Sequence, residues 1–212
     1  MAPRIETKRM LLRPWREADV EAWVAMNSDP QVMEFFPGID ARVDLEATAE
    51  RLRARLERDG YGWWIAELRE SGAFAGVLAL QDVPADLPVA SAIEIGWRLV
   101  PEFWGNGYAT EGAHALLEFA FAQLEQQEVV ALTAAINRRS QRVMERLHMR
   151  RVPQDDFDHP RVPEGHRVRP HVLYRVTRSA WATATQKCNS PMGVSHDRAF
   201  SKLDVHSREA AP

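Results

Sequence analysis

Cysteine is almost absent from this chain. Of its 212 residues only Cys188 is one, so no intrachain disulfide can form, which fits a reducing compartment. Long apolar runs are also missing, and with them any helix able to cross a bilayer. The opening stretch, MAPRIETKRM, lacks the apolar centre of a secretory leader, and the expectation is a cytoplasmic protein. Charge of either sign is not in surplus. The net value of -3 gives no general reason to expect nucleic acid or an anionic membrane as a partner. No internal repeat is present. No Gly-Lys-Ser/Thr occurs anywhere, which excludes a P-loop. Three histidines, His159, His166 and His171, are spaced seven and five apart with no cysteine near. That matches no usual ligand pattern, so no metal is expected and the three read as shaping a pocket or bonding within their loop.

What is present is a chain with 45% hydrophobic residues, enough for one real core. Ile5 to Trp15 reads as a strand closed by Pro14. Asp19 to Met26 has helical spacing, and Ser28-Asp29-Pro30 opens a second short helix. Phe35-Phe36-Pro37-Gly38 is a loop whose two rings either pack or line a substrate mouth. Asp44 to Asp59 is an amphipathic helix stopped by Gly60. Tyr61 to Leu68 and Ala73 to Gln81 form a hairpin around Ser71-Gly72. A loop over 82–88 leads to a strand from Ile93 to Val100. A helix with one apolar stripe then runs from Gly107 to Gln126. Val129 to Ile136 is a continuous apolar run, the mark of a strand buried on both faces. A helix over Arg138 to Met149, a polar loop from Gln154 to Pro170 and a strand over His171 to Thr177 follow. The reading is one α/β domain over 1–181: a mixed, mostly antiparallel sheet with helices on both faces. Residues 182–212 read as a polar, disordered tail.

The feature that organises the chain is Glu94 to Thr110, EIGWRLVPEFWGNGYAT. A strand turns through Gly105-Asn106-Gly107 straight into a helix. The first turn of a helix has unpaired N–H groups and the positive end of the dipole, so such a corner suits an anion. Gly105-x-Gly107 also resembles the start of a dinucleotide fingerprint. Thr110 stands where its third glycine belongs, however, and Glu125 and Glu128 come before the next strand instead of ending it. A bare turn that merely needs glycine stays open on these residues alone.

With its neighbours added, the stretch resembles the GNAT acetyltransferase superfamily, and its RimJ/RimL-like branch most closely. The residues that carry the resemblance are the strand Ile93-Glu94-Ile95-Gly96-Trp97-Arg98-Leu99, the corner WGNGYAT and the later Asn137-Arg138-Arg139-Ser140-Gln141-Arg142-Val143-Met144-Glu145-Arg146-Leu147. MLLRPWREADVEAW and SDPQVM are similar to the branch's start. The likeness spans Ile5 to Trp181.

The resemblance implies the GNAT fold and acetyl-CoA as co-substrate, held between splayed strands at 93–100 and 129–136. It implies CoA contacts at Trp97, Leu99, Val100, Trp104, Gly105, Asn106, Gly107, Tyr108, Ala109, Thr110 and Asn137. Asn137 also reads as a cap for the helix that follows. The implied reaction is attack of a neutral amine on the thioester, with Glu94 as base and Ser140 serving the leaving thiol. A backbone N–H near Leu99 would receive the oxyanion. A carboxylate set between Ile93 and Ile95 on a central strand should have a raised pKa once desolvated. Met144 stands where many members have a proton-donating tyrosine, so that role has no residue here. His148 replaces the usual glycine of the Leu-Gly ending. The implied acceptor is a protein N-terminus or a small-molecule amine, and relatives' habit implies a homodimer. A non-catalytic acyl-CoA-binding module is the alternative of another class.

Overall fold

The computed structural model describes residues 2–89 and 92–189. Nine strands form one sheet in the order β1-β2-β3-β4-β5-β6-β9-β7, with β8 beside β9. The strands are β1 (Ile5–Glu6), β2 (Met10–Arg13), β3 (Trp63–Leu68), β4 (Phe74–Asp82), β5 (Ile93–Leu99), β6 (Glu128–Ala134), β7 (Arg150–Arg151), β8 (Phe157–Asp158) and β9 (Pro170–Thr177). Every pairing is antiparallel except that of β5 with β6. The helices are α1 (Asp19–Ser28), α2 (Arg42–Asp59), α3 (Tyr108–Ala122), α4 (Arg138–Arg146) and α5 (Arg178–Asn189). Helices α1 and α2 pack on each other and on β3 and β4, while α3 packs on β4 and β5 and meets α4. Trp64, Ile65, Leu78, Leu80, Leu116 and Leu117 are fully buried between them. Among the described residues no helix is long and apolar enough to cross a membrane.

Several boundaries differ from the sequence expectation, each for a local reason. The first strand is two strands, because Thr7 turns the chain: its hydroxyl takes the Met10 N–H at 2.9 Å and the Thr7 N–H goes to the Met10 carbonyl. Helix α3 stops at Ala122 and α4 at Arg146, both short of the expected ends. The short helix after Pro30 is a single 3-10 turn, Val32–Phe35. The polar loop contains β8, pinned where Phe157 and Asp158 pair with His171 and Pro170. Helix α5 runs to Asn189, through the first residues read as tail, with the Trp181 ring tilted against that of His114, centres 4.6 Å apart. The rest of that stretch, 190–212, lies outside the described residues.

One buried cluster fixes α1 to the sheet. Arg13 on β2 donates to both oxygens of Asp19 at 2.7 and 2.8 Å and to Glu67 on β3 at 2.6 Å. A buried arginine is tolerable only with such partners.

Candidate active site

Strands β5 and β6 begin side by side and then part. Ile93 pairs with Val129 and Glu94 with Val130, and the ladder ends there. On its other edge β5 pairs with β4 along its whole length, from Asp82↔Ile93 to Gly76↔Leu99. From Ile95 onward one edge of β5 therefore has no strand partner. Backbone groups away from water need partners, so an extended chain of amides would complete this edge. Gly76 permits the close approach on the β4 side: a Cβ there would sit 2.2 Å from the Arg98 carbonyl oxygen.

A cleft of about 930 Å³ opens in the gap. Of the residues expected from sequence, Glu94, Trp97, Leu99, Trp104, Gly105, Gly107, Tyr108, Ala109, Thr110, Asn137 and Ser140 line it. Val100 and Asn106 do not appear on the wall. The Val100 N–H is spent on the Ala75 carbonyl, and Asn106 is exposed, donating back to the Trp104 carbonyl at 3.2 Å.

At the end of β5 a 3-10 turn over Pro101–Phe103 leads to Gly105 and Gly107, at φ 79° and 82°. Both sit in the left-handed region, which glycine enters at no steric cost. Gly107 is the N-cap of α3 and supplies no side-chain cap, so the first-turn N–H groups stay open to an anion. Two supports of this corner were not read from sequence. The Arg9 guanidinium donates to the Asn106 carbonyl at 2.9 Å and lies 4.4 Å from the Tyr108 ring centre. Glu111, in the first turn of α3, takes the Thr7 hydroxyl, the Arg9 N–H and the Arg9 Nε at 2.7, 2.7 and 2.6 Å. Burial opposes its charge, but these bonds outweigh burial and hold its carboxyl below the usual range. Its negative charge is thereby answered locally, not turned on the anion site.

The opposite wall is α4. Asn137 is its N-cap: the side-chain oxygen takes the Ser140 N–H, and the amide donates to the Thr133 hydroxyl and the Ser140 Oγ, both at 3.0 Å. Because Ser140 Oγ accepts that bond, its own hydrogen is left to donate into the cleft. Arg139, Arg142 and Arg146 follow at i, i+3, i+7, exposed along one helix face that lines the cleft. Arg139 lies 4.7 Å from the Trp104 ring centre. Their spacing was visible in sequence, but periodicity marks exposed charge and not what it faces. The buried Met144 lines the same wall. At the helix end His148 takes φ 59°, so the turn keeps glycine's geometry despite the different residue.

Glu94 is half-buried beside Gln81, its cross-strand partner on β4. The Gln81 amide donates to Glu94 at 3.0 Å, and its oxygen takes the Trp63 indole N–H at 2.8 Å, which fixes which end of the amide faces the acid. Desolvation pushes the Glu94 carboxyl up, and the Gln81 bond pulls the other way without cancelling it. The mouth beyond it is closed by Phe35, which packs on Ala134, Val162 and Val168, and by Phe36, which lies over Arg98. Of the two loop rings, Phe35 packs, and both line the cleft. His159 and His171 meet there with ring centres 4.8 Å apart, and burial lowers both pKa values. His166 does not join them and takes the Val168 N–H instead.

A sheet that splays at a parallel pair, with an uncapped helix start at the end of the splay, has room for an extended chain of amides that ends in an anion. Residues 9–150 match the family described as Acetyltransferase (GNAT) domain, and the chain belongs to that family. It uses acetyl-CoA, and it is an acetyltransferase. Among curated proteins it is 30% identical over 190 residues to the FsC-acetyl coenzyme A-N(2)-transacetylase of Aspergillus fumigatus, covering 84% of this chain and 78% of that one. An uncharacterized N-acetyltransferase of Bacillus subtilis, YnaD, is 27% identical over 178 residues, covering 84% and 98%. A GNAT-family acetyltransferase structure from Bacillus anthracis superposes with TM-score 0.69 at 25% identity, covering 82% of this chain and 98% of that one. The fold is shared with RimL, the ribosomal L7/L12 alpha-N-protein acetyltransferase in complex with coenzyme A. There the TM-score is 0.68 at 17% identity, covering 84% and 99%.

Proposed function

We propose that this chain transfers the acetyl group of acetyl-CoA to a primary amine, by direct attack of the neutral amine on the thioester. The observation that carries the reading is the half-made pairing of β5 and β6, which opens beside a desolvated carboxylate and ends at an uncapped helix start. In this reading the free edge of β5 pairs with the amides of the pantetheine arm. The N–H groups from Gly105 to Thr110 hold the pyrophosphate, and the arginine face of α4 draws in the remaining phosphate charge. Acetyl-CoA supplies the activated acyl group; the chain supplies position, a base and a proton. An amine of pKa about 8 to 10 arrives mostly protonated, so a base is needed. Glu94, with its raised pKa, takes that proton, and the second proton shed by the attacking nitrogen passes through the Ser140 hydroxyl, which regains the one it gives, to the departing sulfur. The acceptor is a protein N-terminus or a small-molecule amine.

The test is thiol release from acetyl-CoA against a panel of small amines and N-terminal peptides. Release that requires an amine, with the acetylated amine recovered, supports the reading. Acetyl-CoA binding with no release against any acceptor refutes it and leaves an acyl-CoA-binding module.

A further inference from the structure

The acceptor side of the cleft holds a cation that the chain itself does not neutralise. Arg98 lies on β5 at the same alternation as Glu94, so both side chains leave the same face of the strand. It lines the cleft, with its guanidinium 4.1 Å from the Phe36 ring centre and 5.7 Å from that of Trp23. Its Nη1 donates to the side-chain oxygen of Asn27 on α1. Its Nε is buried without a hydrogen-bond partner, and among the described residues no bond engages Nη2 either. Among the described residues no carboxylate pairs with it, and the acid that attracts it is the exposed Asp40, by charge alone. Burial drags its pKa down to about 10.

Elsewhere the fold handles a buried arginine differently. Arg13 has two carboxylates, Asp19 and Glu67, on its guanidinium. The other charges at the mouth do not compensate for Arg98. Arg161 is paired with Asp86 at 2.6 Å, and Glu94 is pushed toward its neutral form. What Arg98 lacks is an anion. With Nη1 taken by Asn27 and Nε closed off inside the fold, Nη2 is the donor left to take a carboxylate through a charge-assisted hydrogen bond.

We propose that Arg98 anchors the acceptor by a carboxylate, so that the amine acetylated here belongs to a carboxylate-bearing molecule. The inference rests on the acyl-transfer reading and narrows its acceptor. The shared chemistry has two sources: the carboxylate of a free amino acid, or an acidic side chain near a peptide's N-terminus.

The experiment uses the full chain with acetyl-CoA and matched pairs of acceptors. One arm compares free amino acids with their amides. The other compares peptides that differ only in an acidic or neutral second residue. A charge-assisted hydrogen bond of ordinary strength predicts that the carboxylate member is preferred by about tenfold to a hundredfold in kcat/KM. The arm that shows the preference identifies the source. Arg98→Gln should abolish the preference while the affinity for CoA, measured by calorimetry, stays as in the parent and reports an intact fold. Turnover with no preference in either arm overturns the anchor and leaves acyl transfer standing. No thiol release with any acceptor overturns both.

Discussion

Gln81→Leu is the substitution that isolates the chemistry of Glu94. Leucine keeps the site apolar and similar in volume, so burial of the acid is preserved while one donor is lost. That donor, 3.0 Å from the carboxylate, favours its charged form. A hydrogen bond to a charged group contributes about 1.5–3 kcal/mol, and part of it persists when the acid is protonated. If about half is specific to the charged form, the loss raises the pKa by roughly one unit, since 1.36 kcal/mol is one unit. Glu94 acts as a base when deprotonated, so activity rises with pH through its folded pKa. The acidic limb of kcat/KM should therefore move upward by about one unit in Gln81→Leu. In Glu94→Gln the limb should vanish and the rate should fall by about 10²–10⁴. A second readout needs no substrate. The folded pKa of Glu94 lies above the unfolded one, so the native state binds more protons between the two values, and stability falls as pH rises through that window. Above it the charged, desolvated acid is a cost. Glu94→Gln should thus raise the melting temperature at pH 8 more than at pH 4. A limb that stays in place in Gln81→Leu, with the protein folded, would refute the assignment of the base.

Gly76→Ala should be among the most destabilising single changes, by about 3 kcal/mol or more in urea unfolding. Its methyl group would meet the Arg98 carbonyl oxygen at 2.2 Å, and its φ of 137° is already outside the range of other residues. The double substitution Arg139→Ala with Arg142→Ala should weaken CoA binding by about tenfold at low salt and flatten its salt dependence, measured by titration at two ionic strengths. His148→Gly should raise stability by up to about 1 kcal/mol, because it relieves a left-handed residue at φ 59°; a loss would show that the imidazole makes a stabilising contact.

The sheet was legible because its strands are written in two codes. Val129 to Ile136 is apolar but for Thr133 and proved central, while Glu94 interrupts an apolar strand and proved to face a cleft. The glycine corner was legible because glycine takes the left-handed dihedral angles of 105 and 107 without the steric cost other residues bear there. The supports were not. Gln81, Arg9 and Glu111 act across 13 to 104 positions of sequence, and no local pattern joins them to the site. Arg98 lies within the strand motif, but a charged residue at an alternating strand position reads as solvent-facing. Only the burial of its Nε shows otherwise. The splitting of the first strand turned on one hydroxyl, that of Thr7, whose competing bond a propensity argument does not weigh.

The parting of β5 and β6 also has a consequence for how the molecule moves. The two strands are zipped only at residues 93–94 and 129–130, so in the sheet itself the two halves are joined at a short seam, with the packing of α3 on α4 as the other bridge. A ligand that lies in the gap is a tenth strand as well as a reactant. Filling the site a hundredfold above its dissociation constant adds about 2.7 kcal/mol to the folded state. Much of that stiffening should fall on those amides of Ile95 to Leu99 that point away from β4, which would exchange slowly with solvent only while the co-substrate is seated. Each turnover would then loosen and retighten the middle of the sheet, so the protein would be at its most vulnerable to proteases between one CoA and the next.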